Sequence, residues 1–341
     1  MLAVIGGSGL VGLGQMKVIR REIARTPFGG PSGPLVIGEM SGATVLFLAR
    51  HGPGHIHAPH RINYRANVWA LRQAGATSLL AVAAVGGIAD NSGPGVIAAP
   101  DQIIDYTYGR EHTFCDGSDR TVVHVDFTQP YSDALREAVL KAAASAGEPL
   151  VATGVYGATQ GPRLETAAEI KRMARDGATL VGMTGMPEAA LARELSLRYA
   201  HLCVVSNWAA GCGDSVSAIS HAAIDATLDE SIGRVQNIIA ALAASASRRN
   251  SAQQSWNGRT TARIDSEDAA ASACAAGAEQ RLRSGARTTD IDDVQRTGEG
   301  YTVRGRVELN QRSDRDRQSF TCTVRYGAVE RIDFGSYAFN Y

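Results

Sequence analysis

Neither sign of charge prevails in this chain of 341 residues, where 34 lysines and arginines offset 34 aspartates and glutamates. A zero balance lacks the electrostatic footprint of a nucleic-acid binder, and that class of partner is set aside. A cysteine framework is missing too. Cys115, Cys203, Cys212, Cys274 and Cys322 are odd in number, far apart and without a CxxC pair, so reduced thiols are expected rather than a disulfide scaffold or a zinc site. No apolar run is long enough to span a bilayer, and Met1-Leu2-Ala3-Val4-Ile5 runs into glycines without a basic leader or cleavage site. The expectation is a cytoplasmic protein with no membrane partner.

What the chain does have is glycine at the ends of short apolar runs. Leu2 to Ile5 opens into Gly6-Gly7-Ser8-Gly9, and Leu79 to Val85 ends in Gly86-Gly87, the pattern of buried strands whose ends let a ligand approach the backbone. Leu35–Gly38 and Val45–Leu48 flank a Ser41-Gly42-Ala43 turn as a hairpin and deliver Arg50 and His51. Further strands are expected at Val151–Tyr156, Thr179–Met183 and Leu202–Val205. Helical spacing covers 61–75, Ser132–Gly147, Thr166–Asp176, Met186–Leu195 with Pro187 in the first turn, and Ser220–Leu242. Strands alternating with helices predict an α/β fold, a three-layer α/β/α arrangement with a central mixed sheet and ligands at strand ends. Its length exceeds what one core usually organises. Composition shifts after Leu242: 243–258 reads as a linker and 259–341 as a small α+β appendage, with a helix at Ser266–Ser284 and strands at Tyr301–Leu309, Ser319–Tyr326 and Val329–Phe334.

Gly7-Ser8-Gly9-Leu10-Val11-Gly12 satisfies GxGxxG, but Pro27 and Gly29-Gly30-Pro31 break the segment where a dinucleotide fold needs an unbroken helix. A nicotinamide-dependent oxidoreductase is therefore the enzyme-class alternative; the turn itself offers backbone N–H groups and the Ser8 hydroxyl to an anion. Half of the eight histidines, His51, His55, His57 and His60, crowd one loop. Their spacing fits no standard zinc motif and no acidic residue lies near them, so no metal is expected, and most of the histidines other than His51 are assigned to loop packing. Arg50 and His51 at a strand end suit phosphate, with the guanidinium as a bidentate fork.

Gly6-Gly7-Ser8-Gly9, Leu48-Ala49-Arg50-His51-Gly52, Asn63-Tyr64-Arg65-Ala66-Asn67, Gly161-Pro162-Arg163-Leu164-Glu165-Thr166 and Val181-Gly182-Met183-Thr184-Gly185-Met186-Pro187-Glu188 together resemble the trimeric purine nucleoside phosphorylase and methylthioadenosine phosphorylase family, from Met1 to about Leu242. The resemblance implies a homotrimer without a cofactor, using inorganic phosphate as co-substrate. It assigns Ser8, Arg50, His51, Thr184 and the Ala84 backbone to phosphate, Met183 and Val85 to the ribose, and Glu165 and Asn207, followed by Trp208 and Ala209, to the base. It also makes His124–Phe127 a segment that a neighbouring subunit would receive. Glu165 with Asn207 accompanies 6-oxopurines in that family, which agrees with chemistry: a carboxylate accepts the N1 proton and an amide N–H reaches O6 and N7. Gly109-Arg110-Glu111-His112-Thr113 and the two longer motifs look most like the bacterial S-methyl-5′-thioinosine phosphorylases. His221 falls where the family chooses between packing a methylthio group and hydrogen-bonding a 5′-hydroxyl, so inosine and guanosine stay open as substrates. The non-enzyme alternative is a binding module whose partner interface is the appendage; Ser8, Arg50, His51, Glu165, Thr184 and Asn207 all being competent residue types argues against it.

Overall fold

The computed structural model describes residues 1–115, 122–213, 221–259, 266–281, 287–298, 300–308, 317–325 and 328–334. In chain order the elements are β1 (Leu2–Gly6), β2 (Lys17–Glu22), β3 (Leu35–Met40), β4 (Ala43–Ala49), α1 (Tyr64–Gln73), β5 (Ser78–Gly87), β6 (Ile97–Ala98), β7 (Gln102–Asp105), α2 (Asp133–Ala146), β8 (Val155–Ala158), α3 (Ala167–Arg175), β9 (Leu180–Gly182), α4 (Gly185–Glu194), β10 (Arg198–Trp208) and α5 (His221–Arg259). They are followed by α6 (Glu267–Arg281), β11 (Arg287–Thr297), β12 (Gly300–Glu308), β13 (Arg317–Arg325) and β14 (Ala328–Phe334). The chain divides into two compact units, Met1–Arg249 and Asn250–Tyr341. No helix among the described residues is long and apolar enough to cross a membrane.

The first unit is built on a mixed sheet ordered β2-β3-β4-β1-β5-β9-β8-β7, with β10 paired to β5 and β6. Period-two alternation sends successive side chains of each central strand to opposite faces. Ala3, Ile5, Leu79 and Ala81 join α1 (Val68, Leu71) and α4 (Ala189, Leu191) in one core. Leu2, Val4, Leu80 and Val82 join α2 (Leu135, Val139) and α5 (Val235, Ile238, Leu242) in the other. Two cores on one sheet make the three-layer α/β/α arrangement.

The helices start where the sequence provides caps. Ser132 accepts from the Leu135 N–H, and Thr166 forms a reciprocal capping box with Glu169. Several boundaries differ from the sequence expectation. The strand expected at Val151–Tyr156 begins only at Val155, Val151 making an isolated bridge to Ala98. Met186 has extended backbone angles (φ −119°, ψ 139°), because a residue preceding proline is disfavoured in the α region, so α4 becomes regular only after it. The 243–258 segment, expected as a linker, is helical as part of α5: no proline or glycine interrupts the chain between Gly233 and Gly258, and its alanines, arginines and glutamines favour helix.

The second unit is an antiparallel sheet, β11-β12-β13-β14, with α6 packed against it. Ala270, Cys274 and Ala278 of α6 meet Tyr301, Val303, Phe320, Cys322 and Val324 in its core. β11 escaped sequence reading because its run of threonines, aspartates and arginines carries only Ile291 and Val294 as apolar residues. The expectation of reduced thiols fails for one pair: Cys274 and Cys322 form a disulfide across 48 residues, their Cα atoms 5.9 Å apart, whereas Cys115, Cys203 and Cys212 are free. Sequence spacing holds no trace of it, because only the packing of α6 on β13 brings the two together. Of the closing aromatics, Phe334 packs against this core; Tyr337, Phe339 and Tyr341 lie outside the described residues.

Candidate active site

The carboxyl ends of β1, β4, β5, β9 and β10 converge on a cavity of about 510 Å³. Its location follows from the ladder of β5. Pairing with β1 stops at Gly6–Val82 and pairing with β9 begins at Gly86–Val181, so this edge of β5 has no ladder partner from Ala83 to Val85. Those three residues line the cavity. Their other edge stays paired with Cys203, Val204 and Val205 of β10, so only the cavity side of this stretch lacks a neighbouring strand.

Around this gap the structure gathers Ser8, Arg50, His51, Ala84, Val85, Glu165, Met183, Thr184, Asn207 and Ala209. A neighbouring cavity of about 400 Å³ shares Glu165 but includes none of the residues assigned to phosphate, so the larger one is the candidate site. Ser8 sits in the turn after β1, closed by the Leu10 N–H on Gly7 O at 3.1 Å. Gly9 has φ +79°, a conformation that side chains resist. A Cβ on Gly7 would come within 2.8 Å of Arg50 Nη1 and 3.0 Å of Val82 O, so only glycine lets this turn lie against the arginine. No helix follows the turn, and the chain passes on to β2, unlike a dinucleotide-binding fold.

Arg50 serves differently from the sequence expectation. Its fork grips Glu188, with Nε at 2.8 Å from Oε2 and Nη2 at 3.0 Å from Oε1, and both side chains are wholly buried. Nη2 also donates to Ile5 O at 3.4 Å and Nη1 to Val82 O at 2.8 Å. Of the five N–H groups of a guanidinium, one on Nη1 is then left for a ligand, so the bidentate fork expected for phosphate is committed elsewhere. A buried cation needs a counter-charge, and Glu188 provides it; burial opposes the charge on Arg50, but the carboxylate outweighs it and holds the group protonated. Tyr199 donates its hydroxyl to Glu188 Oε1 at 2.9 Å.

His51 Nδ1 lies 2.8 Å from His57 O. A carbonyl only accepts, so Nδ1 carries the hydrogen and Nε2 is the ring's acceptor. Burial pushes its pKa down to about 4, keeping it neutral. His55 stacks on it with centroids 4.1 Å apart. His55 and His57 line the cavity as well, whereas sequence reading had given most of the remaining histidines to loop packing.

Thr184 precedes α4 without capping it by its side chain, and its N–H donates to the Tyr156 hydroxyl at 3.2 Å. Glu165 Oε1 accepts from Thr159 Oγ1 at 2.6 Å. On β10 a register shift between Val205 and Asn207 turns the strand end toward the cavity. Asn207 Oδ1 accepts from Ser206 Oγ at 2.8 Å and Nδ2 donates to Trp208 O at 2.7 Å, which leaves one amide N–H for a ligand. Trp208 is not part of the lining. Alternation along the strand directs it away from Asn207, and its indole lies over Gly93 and Gly213. His221 begins α5, but its side chain lies outside the described residues. Sequence reading missed Ile224 and Leu228, one helical turn apart on α5, which line the cavity together with Asp225.

The phosphorylase superfamily profile matches residues 1–244, and the chain belongs to that superfamily. Over 242 residues it is 55% identical to a probable S-methyl-5′-thioinosine phosphorylase of Xanthomonas campestris pv. campestris, covering 71% of this chain and 96% of the relative. A 6-oxopurine nucleoside phosphorylase of Pyrococcus furiosus is 44% identical over 215 residues, 62% of this chain and 80% of its own length. Among solved structures, a methylthioadenosine phosphorylase from Schistosoma mansoni in complex with adenine superposes with a TM-score of 0.68 at 30% identity, covering 71% of this chain and 90% of that one.

Proposed function

We propose that the first unit catalyses phosphorolysis of S-methyl-5′-thioinosine to hypoxanthine and 5-(methylthio)ribose 1-phosphate. The observation that carries this reading is the meeting of Glu165 and Asn207 with Ser8, Arg50, His51 and Thr184 in one cavity. An anion binds between the Ser8 and Thr184 hydroxyls, the remaining N–H of Arg50 and the Ala84 backbone. His51 Nε2 accepts the hydrogen of a monoprotonated phosphate. Met183 and Val85 pack the sugar. As the C1′–N9 bond breaks, its electron pair passes to the base and a phosphate oxygen bonds to C1′. Glu165 accepts the N1 proton of the 6-oxopurine as a hydrogen bond, and the free amide N–H of Asn207 relieves the charge growing toward N7 and O6.

Ile224 and Leu228 offer a methylthio group apolar packing, which supports the methylthio substrate over its hydroxyl counterpart, although Asp225 of the same helix also lines the cavity. The same reading includes a homotrimer in the cytoplasm with no cofactor. Val122 and Val123, 69% and 52% exposed beside the His124–Phe127 segment, and Ile56, 71% exposed at the cavity, are apolar surface that a neighbouring subunit would cover. Catalysis is assigned to 1–242, and the 259–341 appendage is given no part in it.

Comparison of kcat/KM for methylthioinosine, inosine, guanosine and methylthioadenosine tests the substrate. Methylthioinosine is expected to lead. Inosine and guanosine ahead would make the enzyme a general 6-oxopurine nucleoside phosphorylase with His221 on the 5′-hydroxyl; methylthioadenosine ahead would refute the roles of Glu165 and Asn207.

A further inference from the structure

Arg110 does not line the cavity, yet it is buried to 8% exposure and every nitrogen of its guanidinium is engaged. Nε donates to Gln160 Oε1 at 3.1 Å, and Nη2 donates to Thr159 O at 3.0 Å and Gln160 O at 2.8 Å. The hydrogens on Nη1 are shared among Met183 O at 2.8 Å, Met186 O at 2.6 Å and the Tyr64 hydroxyl at 3.2 Å. All six acceptors are uncharged, and four of them are main-chain carbonyls.

These acceptors belong to the segments that carry the site. Thr159 and Gln160 begin the loop to Glu165, and the Thr159 hydroxyl holds that carboxylate. Met183 and Met186 bracket Thr184. Tyr64 passes its own hydrogen to Pro59 O at 2.9 Å, and Pro59 lies on the cavity wall in the histidine loop. One planar cation therefore ties the base-recognising loop to the loop under the sugar and phosphate, with a third loop attached through Tyr64. Lysine cannot reproduce this, because three hydrogens on a single nitrogen do not reach acceptors on both sides of a plane.

We infer that Arg110 is a positioning residue that fixes the separation between Glu165 at the base end and Met183–Thr184 at the sugar end. The kinetic half of this inference rests on the phosphorolysis reading; the structural half does not.

The test uses Arg110→Lys and Arg110→Ala in the full chain, with two readouts. In the free protein, amide exchange of Thr159, Thr184 and Gly185 is expected to rise together in both variants while α2 is unchanged. An increase confined to one loop, or none, would overturn the inference. In turnover, KM for phosphate and KM for the nucleoside are both expected to rise about tenfold or more. Preference for a 6-oxopurine over its adenine counterpart should fall, and added guanidinium should restore Arg110→Ala better than it restores Arg110→Lys. Loss of active enzyme with both KM values unchanged would mean that Arg110 only stabilises the fold, and would also overturn the inference. A wild type that releases no base refutes the phosphorolysis reading alone, and the exchange result then decides. Should both variants fail to fold, Gln160→Ala removes one acceptor and is expected to speed exchange at Thr159 and Thr184 alike; an effect at Thr159 alone would refute the coupling.

Discussion

Replacing Glu188 with alanine strands the Arg50 cation, whose side chain is buried at the cavity wall, without its counter-charge. The two side chains are wholly buried and joined by contacts of 2.8 and 3.0 Å, with the Tyr199 hydroxyl on the same carboxylate. Breaking such a pair from one side costs about 3–5 kcal/mol, because the remaining charge keeps its desolvation penalty and loses its partner. Tyr199 also loses its acceptor, which adds about 1 kcal/mol. Glu188→Gln keeps the shape but turns an amide N–H toward an arginine N–H, so it falls in the same range. Replacing both members with apolar residues, Arg50→Met with Glu188→Leu, removes both charges and should recover much of the loss. Urea unfolding followed through Trp69 and Trp208 measures these differences in the first unit. The reasoning is refuted if Glu188→Ala unfolds within about 1 kcal/mol of wild type, or if the apolar pair is less stable than either single change. The apolar pair should remain inactive, since the last Arg50 N–H is gone.

Three other outcomes are expected. Glu165→Gln should lower kcat/KM for 6-oxopurine nucleosides about 10- to 100-fold, the worth of a hydrogen bond to a charged acceptor, with little change in KM for phosphate. His51, whose pKa burial lowers to about 4 from an ordinary 6.5, binds its proton more readily in the unfolded chain. Its contribution to stability is therefore complete above pH 6.5 and is lost as pH falls toward 4, by up to about 3 kcal/mol; Tm measured across that window should be less pH-sensitive in His51→Gln. Reducing the Cys274–Cys322 disulfide reopens a 48-residue span in the unfolded second unit, which should cost that unit about 4 kcal/mol of stability. Activity of the first unit should be unchanged, as calorimetry and turnover with and without dithiothreitol would show.

The residues assigned to phosphate and base, which the structure gathers at one cavity, were legible because each belongs to a short motif at or just beyond the end of a strand. Ser8, Arg50, His51, Glu165, Thr184 and Asn207 all stand where a buried apolar run gives way to glycine or polar residues. Their partners were not legible. Glu188 is 138 residues from Arg50, and nothing in the motif around it shows that its charge is for the arginine rather than for a ligand. Arg110 was visible as a residue, but four of its six acceptors are main-chain carbonyls 49 to 76 positions away, and carbonyls have no signature in sequence. Trp208 was misplaced because the motif gave no phase for the strand. Ile224 and Leu228 read as ordinary core positions of a helix, and only the cavity distinguishes them. The helical course of 243–258 was missed for another reason: a mixed alanine and serine composition serves linkers and helices equally, and the absence of helix breakers was the informative signal.

The central claim, that phosphate is the nucleophile on a 6-oxopurine nucleoside, is tested most directly by incubating purified protein with methylthioinosine and following hypoxanthine release as phosphate is varied. The account expects release to rise with phosphate to saturation, to be negligible without it, and to yield one 5-(methylthio)ribose 1-phosphate for each hypoxanthine. Release at the same rate without phosphate, with free methylthioribose as product, would make water the nucleophile and contradict the assignment of Ser8, Arg50, His51 and Thr184; no release under any condition would contradict the catalytic reading as a whole.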